Sequence, residues 1–246
     1  MVGSCNGLVC YLALCKSAFG YYYDPIYISN PITGEYVYLP TFNFFKPVEG
    51  YFSCGFGYHH STNEYKVVRI FREFFISHNC CSYVQVYTLG SGRGWRDIGR
   101  VDLRLSPEAG VCANGTLHWF EKHDKQIVDF DLAEEKFELI SLPTLFPTVS
   151  YYSCPDTFLK LLGGYMCVVH TDDAGKEDRF IHILEKKKKY IKKQHEFKYV
   201  WSWRKTFSIP CSYAVRYTPF AVTKSNQVLM SHNRSVFYYS ENTNVA

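Results

Sequence analysis

The chain has 246 residues, 47% of them apolar, enough for a sizeable core and too many for a disordered tail. With 21 Tyr, 19 Phe and 4 Trp against only 20% charged residues, the composition leans to β structure and away from long charged helices. The net charge of +4 has one source: Lys186, Lys187, Lys188, Lys189, Lys192 and Lys193 place six positive charges within eight residues, and without them the remainder is slightly negative, which argues against a general nucleic-acid surface.

The ten cysteines lie mostly in apolar strand-like runs, as at Cys10, Cys112 and Cys167, and read as reduced core thiols rather than a disulfide scaffold. No Cys-x-x-Cys occurs, so neither a structural zinc site nor another metal or cofactor is expected. Met1 to Cys15 lacks a basic leader and is broken by Asn6-Gly7, and no apolar run approaches the ~18 residues of a membrane span. The expected location is the cytoplasm or nucleus.

In chain order, apolar and polar residues alternate over four to seven positions, the period of half-buried strands. Residues 2–40 suggest a strand, the turn Asn6-Gly7, strand Leu8–Leu12, a long loop 13–25, strand Ile26–Ser29, the turn Pro31–Gly34 and strand Tyr36–Leu39. Residues 54–99 repeat the plan with strands Gly55–Tyr58, Tyr65–Phe71, Tyr83–Leu89 and one from Trp95. Gly110 to Pro143 is the clearest unit, with a turn at Asn114-Gly115 and strands Thr116–Phe120, Ile127–Leu132 and Phe137–Leu142. A fourth unit starts at Phe158 and includes Tyr165–His170 and Phe180–Leu184; a fifth has Pro219–Thr223, Val228–Ser231 and Val236–Tyr239 and stops at Ala246 short of a fourth strand.

Turn pairs at 6–7, 114–115 and 163–164, with turns near 61 and 226, recur about every 50 residues. The pattern predicts an all-β, kelch-like β-propeller of about five four-stranded blades, the last incomplete, forming one domain over 1–246. Its bland alternative is a β-sandwich with irregular strands. The unfinished fifth unit leaves open whether closing strands are missing at both ends.

Six motifs in series then carry a resemblance. They are Gly3–Cys10, Ile28–Glu35 ending in Leu39-Pro40, Gly55–Val68, Val84–Tyr87 followed by Gly94-Trp95-Arg96, Asn114–Trp119 and Ile127–Leu132. Together they resemble the F-box-associated, kelch-like propeller of plant F-box proteins across residues 3–143, and more loosely through Pro219–Tyr239. The resemblance implies a protein-protein interaction module, the part of an SCF-type E3 ubiquitin ligase that selects the protein to be ubiquitinated. It also implies a Skp-type adaptor as partner where an upstream F-box exists; this sequence starts at Met1-Val2-Gly3 without one. A stand-alone propeller scaffold or basic-patch nucleic-acid binder, with no ligase connection, is the alternative. The family motifs are structural: Asn6-Gly7 and Asn114-Gly115 supply positive φ angles, and Trp95 and Trp119 anchor packing between sheets.

Strand parity divides the loops. In an antiparallel four-stranded blade the 1–2 and 3–4 turns share one end, while the 2–3 loops and links between blades share the other. The second set, segments 13–25, 40–54, 72–82, 143–157 and 171–178, is rich in aromatics: Tyr21, Tyr22, Tyr23, Phe42, Phe44, Phe45, Phe74, Phe75, Tyr151 and Tyr152. Rigid aromatics on loops held by a stiff scaffold suit protein binding, so these are the candidate partner-binding residues; the alternative is that they cover blade edges.

The lysine run falls on the turn side and reads as a solvated turn with an extended hairpin, a nuclear-localisation patch or a phosphate-binding strip. Neighbouring Tyr190, Tyr199, Trp201 and Trp203 alternate as core strand residues do. No His-Glu-x-x-His, Gly-x-Ser-x-Gly or P-loop occurs, and Gly90–Gly94 sits between two strands without the helix that phosphate binding needs, so the expected function is not enzymatic.

Overall fold

The computed structural model describes residues 1–17, 20–41, 50–73, 82–105, 108–121, 126–142, 157–172, 179–193, 196–211 and 217–240. The regular elements among them are all strands, assembled into five antiparallel sheets that follow one another along the chain. The chain divides into two compact units, Met1–Leu142 and Pro143–Ala246.

Unit 1 holds three sheets. The first is β1 (Gly3–Cys5), β2 (Leu8–Ser17), β3 (Gly20–Ser29) and β4 (Tyr36–Tyr38); the second is β5 (Gly50–His59), β6 (Glu64–Glu73), β7 (Ser82–Thr88) and β8 (Trp95–Val101). The third is β9 (Val111–Ala113), β10 (Thr116–Glu121), β11 (Gln126–Asp131) and β12 (Phe137–Ser141). Unit 2 holds the sheet β13 (Thr157–Leu162), β14 (Tyr165–Asp172), β15 (Arg179–Lys193) and β16 (Glu196–Cys211), then the three strands β17 (Thr218–Val222), β18 (Val228–His232) and β19 (Ser235–Tyr239). These serial meanders are the blades of the propeller architecture that the repeat implies, and the fifth is the incomplete one.

The period of two governs burial. In β7, residues 82, 84, 86 and 88 are buried and those between are not, because one face of the sheet packs inward. Val84 and Val86 join Val68, Ile70, Leu117, Trp119, Val128, Phe130 and Leu132 in a core between the second and third sheets. Cys10, Ile26, Ile28, Cys54, Phe56 and Val67 fill the space between the first and second. Within unit 2, Val169, Ile181, Ile183, Phe207 and Ile209 pack on Val228 and Met230.

The first strands of successive sheets lie side by side, β1 against β5, β5 against β9, and in unit 2 β13 against β17. Gly55 makes a parallel bridge to Gly110, and both face the indole of Trp119. A Cβ at Gly110 would come within 2.5 Å of Trp119 Cε2, and one at Gly55 within 2.8 Å of Trp119 Cζ2, so only glycine lets these backbones approach around a tryptophan.

Asn6-Gly7 and Asn114-Gly115 form hairpin turns with φ of 46° and 80°, and 52° and 77°, as the two-residue loops require. Trp119 is 2% exposed in the core between sheets, and Trp95 reaches from β8 to donate its Nε1–H to the Pro40 carbonyl at 2.7 Å. Both tryptophans therefore anchor neighbouring sheets, as expected.

Three strand boundaries differ from the sequence reading. The long loop 13–25 is mostly strand: β2 continues to Ser17 and pairs with β3 from Ser17–Gly20 through Leu14–Tyr23, after a register shift between Leu12 and Leu14. A run whose one charge is Lys16, followed by three tyrosines, has high strand propensity, and pairing satisfies its backbone groups. The segments around 50 and 72 are likewise strand, since Gly50 and Tyr51 pair with Glu73 and Arg72. Finally, Lys186–Lys193 is not a turn. It is the outer half of β15, paired residue by residue with β16, which supplies the missing fourth strand of that sheet.

Candidate protein-binding site

The ends of the strands in unit 1 differ in chemistry. At the end carrying the short turns, Lys66 of β6 donates from Nζ to the Leu132 carbonyl at 2.6 Å and to Glu135 Oε1 at 2.9 Å, and Glu64 lies at 3.2 Å. Arg96 of β8 adds a charged hydrogen bond to the same Glu135 oxygen. Lys66 is almost fully buried, and two carboxylates and a carbonyl are what make that tolerable. Burial raises the Glu135 carboxyl, but the hydrogen bonds from Arg96 and Lys66 outweigh it and hold the group below its ordinary value. The β11–β12 turn is thus bolted to the second sheet, which leaves its charges committed to structure.

Nearby, Cys5 of β1 and Cys112 of β9 form a thiol pair. The hydrogen bond from Cys112 is the main reason that Cys5 is lowered to about 7; burial opposes it and the Tyr58 backbone adds to it. The same bond and burial push the Cys112 thiol up. The proton of the pair therefore resides on Cys112, and Cys5 carries the thiolate character.

The buried histidines are used inside their sheets. His118 Nδ1 is 2.6 Å from Asp129 Oδ1 across the β10–β11 pair, and His170 Nδ1 is 2.8 Å from Thr157 Oγ1 across β13–β14. At 5% and 6% exposure they cross-link neighbouring strands beneath the surface.

Aromatic residues collect elsewhere, on one face of the first sheet. Tyr11 stacks on Tyr27 with ring centroids 5.0 Å apart, Tyr27 lies 5.7 Å from Tyr38, and Tyr38 meets Tyr36 edge-on at 5.4 Å. Tyr36 and Tyr38 are 64% and 59% exposed on the edge strand β4, with Ile32 and Val37 also exposed beside them. This ladder runs across β2, β3 and β4 on the face opposite Cys10, Ile26 and Ile28. Sequence alone reads Tyr36-Val37-Tyr38 as ordinary strand and does not show the ladder; the signal it offers is the absence of any charged residue in this short edge strand.

Of the candidate partner-binding residues, Tyr21, Tyr22 and Tyr23 occupy β3, opposite Lys16, Cys15 and Leu14. The register shift between Leu12 and Leu14 separates this stretch from the Tyr11–Tyr27 pair. The three tyrosines are strand residues rather than loop residues, which corrects the expectation. Phe42, Phe44, Phe45, Phe74, Phe75, Tyr151 and Tyr152 lie outside the described residues. Of the basic patch, Lys186 is 6% exposed and so is not a solvated turn residue, and Lys187, Lys188, Lys189, Lys192 and Lys193 occupy successive register positions of β15.

Comparison with known proteins matches residues 1–246 to the F-box associated beta propeller domain. Among curated relatives, an F-box protein of Arabidopsis thaliana is 33% identical over 168 residues, covering 58% of this chain and 38% of that protein. A putative F-box protein of the same plant is 36% identical over 125 residues, 47% of this chain and 30% of the relative. An Arabidopsis F-box/LRR-repeat/kelch-repeat protein is 30% identical over 152 residues, 56% and 37% respectively. The chain thus spans between about a third and a half of the curated relatives it matches. With serial four-stranded sheets and a family match along its full length, the chain belongs to the F-box associated beta propeller domain family.

Proposed function

We propose that this chain is a substrate-recognition module: it binds a protein, and acts within an SCF-type ubiquitin ligase when joined to an F-box segment that engages a Skp-type adaptor. The observation that carries the reading is the family match over residues 1–246, with relatives that are F-box proteins by name. The distribution of chemistry supports it. At the turn end of unit 1, Lys66, Glu135 and Arg96 are committed to ion pairs between sheets, whereas the exposed tyrosine ladder supplies rigid, amphipathic anchors of the kind that dominate protein interfaces.

The role is binding rather than catalysis. His118 and His170 are held in buried cross-strand hydrogen bonds, positions that suit a scaffold and shield them from a substrate. The partner meets the ladder and the candidate aromatic residues Tyr21, Tyr22, Tyr23, Phe44, Phe45, Phe74, Phe75, Tyr151 and Tyr152, and the complex operates in the cytoplasm or nucleus.

The test is an alanine scan of binding to a partner captured by the whole chain. Substitution at Tyr21, Tyr23, Tyr36, Tyr38, Phe44, Phe45, Phe74, Phe75, Tyr151 and Tyr152 is compared with substitution at the exposed turn residues Thr62, Arg93 and Glu134. Loss confined to the first group supports the reading; loss confined to the turn residues contradicts it.

A further inference from the structure

Three first strands meet in unit 1: β1 lies against both β5 and β9, and β5 is bridged in parallel to the start of β9 from Gly55 to Gly110. Two residues further along both chains Gly57 comes beside Cys112, and a Cβ at Gly57 would collide with the Cys112 sulfur. The glycine thus leaves room over β5 for side chains from the flanking strands. Cys112 enters from β9 and Cys5 from β1, the two thiols share a hydrogen bond, and the Tyr58 backbone meets both.

We propose that Cys5 and Cys112 form a reversible oxidation site, separate from the protein-recognition role, in which a peroxide converts the two thiols into a disulfide that staples β1 to β9. Sulfurs in hydrogen-bond contact have little distance to close before the ~2.05 Å of that bond. Both are partly exposed free thiols that a small oxidant can reach, whereas Cys10, Cys54 and Cys167 are buried. Burial also pushes Cys10 and Cys167 up to about 12, which keeps them protonated and unreactive at neutral pH. The staple closes a loop of about a hundred residues across three sheets, so it restrains the unfolded chain strongly.

The order of events follows from the pair. The Cys5 thiolate attacks one peroxide oxygen: an S–O bond forms, the O–O bond breaks, and the departing hydroxide takes up the proton that Cys5 lost. Cys5 becomes a sulfenic acid, its sulfur oxidised by two electrons while the peroxide is reduced. A neutral sulfenic acid accepts the Cys112 proton far more weakly than a thiolate, so the main hold on that proton is released, while the Tyr58 and Gly115 backbone contacts that favour a Cys112 thiolate remain. Cys112 then attacks the Cys5 sulfur. The S–S bond forms, the S–O bond breaks, and hydroxide leaves with the Cys112 proton as a second water. Two thiols and one peroxide thus give one disulfide and two waters, and a dithiol reductant reverses the step by exchange.

The experiment treats the whole chain with hydrogen peroxide near neutral pH, caps the remaining thiols with a maleimide and assigns linked peptides by tandem mass spectrometry. The expected result is a Cys5–Cys112 link that dithiothreitol removes, in a chain that melts several degrees above its reduced form. Cys112→Ser keeps the hydrogen-bond donor but cannot complete the link, so Cys5 stops at the sulfenic acid and its labelling by dimedone rises severalfold over wild type. Cys5→Ser leaves Cys112 open to maleimide after the same treatment. Wild type unfolded in concentrated urea and oxidised there is the control for folding, and should lose the preference for this pair. No link, Cys5 joined instead to Cys10 or Cys15, the same link formed as readily in the unfolded chain, or a link that leaves the melting point unchanged, each overturns the proposal.

Discussion

Lys66, in the second sheet, donates to the main-chain carbonyl of Leu132, in the third, at 2.6 Å, and this one bond ties a buried ammonium to the end of another blade. Its remaining partners are Glu135 and Glu64. Lys66→Ala should cost about 3 kcal/mol, because it strands Glu135 and an inward-facing carbonyl as well as removing the bonds. Lys66→Met, which fills the same space, should cost less. Chemical denaturation of both variants checks the ordering.

The same cluster sets an acid sensitivity. Glu135 is held below its ordinary value in the folded state, so the stabilisation it provides is fully present above the unfolded carboxylate pKa of about 4.3 and is lost as pH falls through the folded value. Wild type should lose stability between pH 5 and 3 more steeply than Glu135→Gln. Thermal melts of both proteins across that range give the difference directly, and parallel curves would show that the cluster contributes nothing to acid unfolding.

Cys5 should behave as an unusually acidic thiol. With its pKa lowered to about 7 by the hydrogen bond from Cys112, its alkylation by iodoacetamide should be half-maximal near pH 7, followed by mass spectrometry of the Cys5 peptide. Cys112→Ala should move the midpoint towards the ordinary thiol value of about 8.5, while Cys112→Ser, which keeps a donor, should hold it low. Because its folded value lies below the unfolded one, Cys5 adds stability as pH rises from about 7 towards the ordinary thiol value, above which Cys112, pushed up by the same bond and by burial, works in the opposite direction.

Gly110 should not accept a side chain. Gly110→Ala would drive a methyl to 2.5 Å from the Trp119 indole, and overpacking of that kind costs about 1 to 3 kcal/mol. Trp119→Phe in the same chain should recover part of the loss. The substitution also removes Trp119 Nε1, a buried donor with no hydrogen-bond partner among the described residues. Urea midpoints of the single and double variants measure the coupling.

Much of this architecture is legible from sequence because turns and strands announce themselves locally. Asn6-Gly7 and Asn114-Gly115 could only be tight turns, and the alternation in Ile127–Leu132 could only be a strand with two unequal faces. Strand length was harder, since nothing local says that Lys16 pairs with Tyr21 or that six lysines run along β15 rather than around its end. Pairing partners across a sheet decide those boundaries, and the tyrosine ladder depends on the register of three strands at once. The ion cluster around Lys66 was invisible for a related reason: Lys66, Arg96 and Glu135 are scattered in sequence and meet only when two sheets pack.

The most direct measurement concerns the fate of a bound protein. The chain is fused behind the F-box segment of one of its relatives, expressed in plant cells, and compared with the chain alone for proteins that co-purify, their ubiquitin content and their half-lives. The account predicts proteins bound by both forms that gain ubiquitin and turn over faster only when the F-box is present, with both effects lost on Tyr36→Ala and Tyr38→Ala substitution. Bound proteins whose ubiquitin content and half-life are the same with and without the F-box would contradict it.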